Sequence, residues 1–273
     1  MRWRLSWVFL ACAALCTAGG CGGTAMTFSQ PAPDTSLGQE IRKTSGKAAE
    51  AAGETEAAAV TADSWGNLTG KFVYDGPDPM PARLAITKDE EVCGKHDLKD
   101  ESLVVGPNKG LKNVVVFLAD KKAAVHPDYE ATAKDMVKYD NNHCAFEPHI
   151  LPLRTSQTLE IHNSDPLSHN SNLTPLGDSP FNQLISHNNA VTYNFRKQQN
   201  SPVMVTCSIH PWMKGYVFPR DNPYVGVTGV DGSFEIKNLP AGKHEFQVWQ
   251  EAVNGLAAKP DWKKGKFKLE IKE

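Results

Sequence analysis

From Cys207 to Met213 the chain reads Cys-Ser-Ile-His-Pro-Trp-Met, which places a thiol, an imidazole and a thioether on one short loop. A second imidazole, His169, lies far upstream beside Asn170. One thiolate, two neutral imidazoles and a weak methionine donor make up the ligand set of a mononuclear blue-copper centre. Zinc also accepts cysteine and histidine, but the methionine and the β-rich surroundings favour copper. A paired-copper centre needs two cysteines in this loop, and Cys207 is the single one there. Four protein donors leave no open position for a substrate, so a carrier of electrons is expected rather than an enzyme.

Such donors must be held still while the charge on the metal changes, which calls for strands on either side of the loop. Residues 113–118 form a continuous β-branched run and read as a buried strand. Residues 70–76 read as a short strand entering a turn. Downstream, residues 226–228, 233–236, 244–249 and 266–271 mostly alternate, with turns at Asp231-Gly232 and Pro240-Ala241-Gly242. Helical periodicity is poor except over 128–133. The fold class is all-β, in the form of β-sandwiches.

Two motifs sharpen this. Phe146-Glu147-Pro148, then His162-Asn163-Ser164-Asp165 with His169 four residues on, resembles the upstream pattern of cupredoxins. Cys207-x-x-His210-x-x-Met213-x-Gly215 resembles the ligand loop of the amicyanin and plastocyanin group, in its amicyanin-like spacing. The resemblance covers about residues 113–220 and implies a cupredoxin-like Greek-key β-sandwich. It also implies His169, Cys207 and His210 as equatorial ligands, with Met213 as a weak axial one. Asn170 is then expected to donate a backbone or side-chain hydrogen bond to the Cys207 sulfur and tune its potential. Pro211 and Trp212 flank His210 and would shield its edge or form an apolar docking surface. The stretch from Asp231 to Gly242 resembles the hairpin of carboxypeptidase regulatory-like, transthyretin-like β-sandwich modules, and residues 70–76 resemble their opening strand. A second small sandwich is therefore expected, with the copper part fused to it or inserted in it.

The remaining sequence concerns location. Residues 1–20 have a basic start, an apolar middle and a small-residue end, as a secretory signal does. Ala18-Gly19-Gly20-Cys21 resembles the lipobox of bacterial lipoproteins, which implies acylation of Cys21, membrane attachment and a place in the bacterial periplasm or cell envelope. Residues 21–66 are rich in Ala, Gly, Thr, Ser and Glu and read as a disordered tether with a reach of about 35–40 Å. The body then divides into a β segment at 67–112, the copper part at 113–221 and the regulatory-like β segment at 222–273.

The chain has 273 residues with a formal net charge of -2, which gives no reason to expect nucleic acid. No later apolar run approaches the length of a membrane span. Of the six cysteines, Cys93, Cys144 and Cys207 lie in the body. Outside the cytoplasm a disulfide between Cys93 and Cys144 is the simplest account. A second metal site from Cys93, His96, His143, Cys144 and His149 is an alternative, as are free thiols. His162 is expected to pack, and His126, His187 and His244 to lie at the surface. Other functions stay open: copper storage, delivery or sensing, and a metal-free carbohydrate-binding or adhesive sandwich. The sequence does not name a redox partner.

Overall fold

The structure, a computed structural model, describes residues 62–253 and 264–273. The expected signal 1–20, Cys21 and nearly all of the tether lie outside the described residues. In chain order the strands are β1 (Trp65–Lys71), β2 (Val115–Leu118), β3 (Met136–Asn142), β4 (Ala145–Glu147), β5 (Ile150–Arg154), β6 (Thr158–Asn163), β7 (His169–Leu173) and β8 (Phe181–Ile185). There follow β9 (Ala190–Tyr193), β10 (Val203–Thr206), β11 (Lys214–Arg220), β12 (Val225–Val227), β13 (Ser233–Pro240), β14 (Gly242–Trp249) and β15 (Lys266–Ile271). The fold is all-β.

These strands form four sheets stacked as two sandwiches. In the first, β5-β11-β10-β7-β8 faces β4-β3-β6-β9 across a core that includes Leu159, Ile161, Leu173, Val205 and Val217. In the second, β12-β2-β14-β15 lies against the ribbon β1-β13 around Val116, Leu118, Ile236, Phe246 and Val248. A third cluster, containing Val115, Phe117, Ile150, Tyr216, Phe218 and Trp249, joins the two sandwiches back to back.

β2 shows how sequence sets this order. Successive side chains of a strand point to opposite faces. Val116 and Leu118 therefore enter the second core, while Val115 and Phe117 enter the junction. Both faces are buried, so the strand is apolar throughout instead of alternating. Its pairing partners are β12 and β14. The boundary expected at 113 thus moves: residues 113–118 belong to the second sandwich, and the first is inserted between β2 and β12. The opening strand also shifts. It begins at Trp65, inside the stretch read as tether, and ends at Lys71, with only an isolated bridge between Val73 and Gly110 beyond it. Residues 128–133 fall mostly in a short 3-10 turn, Pro127–Thr132.

Polar groups also cross the junction. Arg220 is buried over the rings of Phe117 and Phe218, 4.9 and 5.5 Å from their centroids, and donates to the carbonyls of Gln199 and Leu118. His149, just before β5, lies between two carboxylates: Nε2 is 2.7 Å from Glu251, beyond β14, and Nδ1 is 3.4 Å from Glu101. Glu251 also meets Lys214 of β11 at 2.5 Å. Burial alone would lower the His149 pKa, but the bonds to Glu101 and Glu251 outweigh it and raise the group to about 9.

A raised imidazole stabilises the fold fully below its unfolded pKa, near 6.5, and loses that contribution as pH climbs through the folded value. Stability in denaturant melts is expected to drop by up to about 3 kcal/mol between pH 6.5 and 9. His149→Gln should be less stable at pH 6 and nearly level across that range.

Candidate metal centre

Strand register brings the distant donors together. β10 runs antiparallel to β7, with Val205 opposite Leu173 and Thr206 opposite Asn172. The start of β7, His169, therefore lies beside the end of β10, where Cys207 begins the loop. β11 pairs with β10 on its other side, with Lys214 opposite Thr206, which closes residues 207–213 into a hairpin. Within it the Met213 N–H donates to the His210 carbonyl at 2.9 Å, and the Cys207 N–H to the Met213 carbonyl at 3.4 Å. Behind the loop, Gly215 packs against Tyr139 so closely that a Cβ would come within 2.2 Å of its hydroxyl. Only glycine allows that approach.

The loop before His169 is held by Asn163. This buried amide donates to the carbonyls of Leu167 and Ile185 at 2.7 and 2.8 Å, and its oxygen accepts the Asp165 N–H at 3.1 Å. Asp165 in turn places a carboxylate oxygen 2.8 Å from His169 Nε2. The same oxygen accepts the Cys144 N–H at 2.8 Å.

The donors converge inward. Cys207 Sγ lies 4.0 Å from His169 Nδ1 and 3.7 Å from His210 Nδ1, and the ring centroids are 4.5 Å apart. Both histidines are 0% exposed, and Cys207 and Met213 are each 2% exposed. Outward, each imidazole meets a carboxylate: Asp165 at His169, and Asp89 Oδ2 at His210 Nε2, 2.8 Å away. A carboxylate on Nε2 takes the hydrogen there and leaves the Nδ1 lone pair free to face a metal.

The electrostatics match this arrangement. Burial raises the Cys207 thiol, but hydrogen bonding with His169 and with backbone N–H groups of Asn170, His210 and Ile209 more than offsets it, so its pKa falls below the ordinary value. Burial lowers His169, yet the bonds to Asp165 and Cys207 leave it raised. For His210 burial prevails over the Asp89 bond, and the group is lowered, which favours the neutral ring. A softened thiol beside two buried rings is a donor set that fits copper.

His169, Cys207 and His210 thus meet at one point, and the buried Met213 side chain packs in the same core cluster as Cys207. Asn170 stands close by, but its side chain does not donate to the sulfur. Its Oδ1 lies 3.4 Å from Sγ and accepts the N–H groups of Ser208 and Ile209 at 2.7 and 3.3 Å. The donors at the sulfur are backbone groups, the N–H of Asn170 itself among them with those of Ile209 and His210, the last 3.4 Å away. Pro211 is exposed. Trp212 is half-buried, its ring 5.1 Å from that of His210 and its Nε1–H on the Cys144 carbonyl. Cys93 and Cys144 form a disulfide, with S–S 1.99 Å. The alternative second metal group does not assemble: His149 is held by Glu101 and Glu251, and His143 lies beside Glu147 and His96. His162 bonds Glu160, His187 is exposed, and His126 and His244 are half-buried. Among the described residues one further group has metal-binding spacing, Cys144, Asp165 and His169, but the Cys144 sulfur is committed to the disulfide.

Two contributors were not assigned a role from sequence. Asp165 carries a local signal, since it precedes His169 by four residues. Asp89 carries none, being separated from His210 by 121 positions.

No protein-family model matches the chain, and no curated protein matches it. Among solved structures the chain is similar to a copper-containing nitrite reductase from Thermus scotoductus SA-01, at 24% identity over 30% of this chain and 22% of that one, with a TM-score of 0.28. It is also similar to a purple cupredoxin from Nitrosopumilus maritimus, at 19% identity over 30% of this chain and 98% of that one, TM-score 0.26. An oxidised amicyanin variant matches at 16% identity over 38% of this chain and 98% of that one, TM-score 0.28. Overlaps this slight carry no argument.

Removing the Asn170 amide would leave two loop N–H groups without their acceptor. Asn170→Ala is expected to cost about 1–3 kcal/mol of stability in denaturant melts. It should also shift the midpoint potential of the copper-loaded protein, because the backbone donors at the sulfur lose their alignment.

Proposed function

We propose that this chain is a type 1 copper protein that transfers single electrons. Copper would be held by His169, Cys207 and His210, with Met213 as the weak fourth donor. The observation that carries this reading is the convergence of one sulfur and two Nδ1 atoms in a space closed to water, with each ring already turned inward by an aspartate. Bound there, copper supplies a Cu(II)/Cu(I) couple. The residues do the rest. Strands β7, β10 and β11 fix the donor positions, Asp165 and Asp89 fix the tautomers, and burial keeps solvent from becoming a ligand. A cage that needs little rearrangement suits rapid electron transfer, and a full set of protein donors favours a carrier over an enzyme. Deep burial also favours retention of the metal over its delivery.

The wider setting belongs to the same proposal. Acylation of Cys21 and the leash at 21–66 would hold the domain at a membrane of the bacterial cell envelope, within reach of a redox protein partner. Among the described residues no helix is long and apolar enough to cross a membrane.

Copper-loaded protein is expected to show an intense visible thiolate-to-copper band and a reversible one-electron wave. Cys207→Ser should lose both while keeping its circular dichroism. Fast loss of copper to a weak chelator would turn the reading to storage or delivery. Failure to take up copper would leave a metal-free binding or adhesive sandwich.

A further inference from the structure

His210 is covered by a residue from outside the sandwich that holds the centre. Asp89 lies on the long connection between β1 and β2, both strands of the second sandwich. Its side chain is 41% exposed, whereas that of His210 is 0% exposed. The carboxylate thus stands between the ring and water. It occupies the nitrogen facing away from Cys207, so the ring cannot turn over without breaking that bond.

The local backbone is built to present this group. Asp89 has φ 49 and ψ 41, a left-handed conformation that aspartate tolerates better than most residues. Its carbonyl accepts the N–H groups of Val92 and Cys93 at 3.0 and 2.9 Å. Cys93 is bonded to Cys144, whose own N–H is held by Asp165, the carboxylate on the other imidazole. One disulfide therefore ties together the two aspartates that orient the two histidines. Trp212 joins the same assembly through the Cys144 carbonyl.

We infer that Asp89 is a positioning residue of the metal centre: a carboxylate delivered from the β1–β2 connection that fixes the His210 ring and closes its outer edge. The inference rests on the copper reading for its functional meaning, but the contact between the ring and its cover stands on its own geometry. Outer partners of metal-bound histidines typically change metal affinity by about 10–100-fold when removed. Loss of Asp89 frees His210 to rotate and admits water to its edge, so metal is held less firmly.

The test uses Asp89→Gly, because glycine adopts positive φ without strain and the backbone should survive. Glu91→Gln removes a charge from the same turn and serves as the control. Asp89→Asn, which keeps an acceptor oxygen and tolerates the same φ, should rescue in part. In the metal-free protein, carbethoxylation of His210 by diethylpyrocarbonate, mapped by mass spectrometry, should quicken by about tenfold or more in Asp89→Gly and stay unchanged in Glu91→Gln. In the copper-loaded protein, transfer of Cu(I) to bathocuproine disulfonate should quicken by about 10–100-fold, with a shift of the thiolate-to-copper band. A folded Asp89→Gly protein that matches wild type in labelling and in copper transfer overturns the inference and leaves the electron-carrier reading intact. If wild type takes up no copper, that reading fails, while labelling of His210 in the metal-free protein still decides the role of Asp89.

Discussion

A buried imidazole can offer one lone pair to a metal only if its other nitrogen keeps a hydrogen, and in a dry interior that hydrogen needs an acceptor. This requirement governs the centre described above. Two rings must turn Nδ1 toward the same sulfur, so two acceptors must stand outside them, and each is a carboxylate. Asp165 accepts at His169 while also holding the Cys144 N–H, so its charge is shared between two donors. Asp89 does the same for His210 from a separate part of the chain. Two carboxylates and a thiol inclined to ionise surround the two rings, so negative charge gathers at a point with little water. A cation between the donors relieves that charge.

Rigidity at the centre depends on layers behind it. β11 contributes Val217 to the core beneath the loop and Tyr216 and Phe218 to the junction with the second sandwich. The strand that anchors the end of the ligand loop is thus packed on both faces. β2 is packed in the same manner from the other side of the junction, and Arg220 adds hydrogen bonds where the layers meet. A close-packed interior resists small displacements because each side chain has many neighbours at contact distance. Moving the loop would disturb a core on one side and a junction on the other.

How much of this was legible in sequence follows from the range of each interaction. The ligand loop is local, since Cys207, His210 and Met213 fall within seven residues, and it points to the chemistry once the upstream His169 segment is set beside it. The β class followed from alternation and turn residues in 226–249. β2 is legible as a strand, but its sequence does not say which sandwich it joins: an apolar run buried on both faces records depth, not partner. Asp165 was in view beside His169, but a carboxylate four residues before a histidine is too common in a folded chain to mark a role. Asp89 was out of reach. Nothing in Thr87-Lys88-Asp89-Glu90 sets it apart from a solvated acidic turn, and its meaning appears only when the β1–β2 connection folds over the loop.

That connection has to be fixed in place, because a long segment without strands of its own would hold a single hydrogen bond poorly. The disulfide supplies the restraint. It closes a loop of 51 residues, and a crosslink of that span removes enough freedom from the unfolded chain to favour the native state by about 4 kcal/mol in the entropic account. A single hydrogen bond contributes only about 1 kcal/mol net, too little to hold the segment down. The Asp89–His210 bond is therefore better understood as a consequence of the crosslink than as its substitute. The covalent bond holds the turn at the surface of the site, and the carboxylate then meets the ring at little further entropic cost.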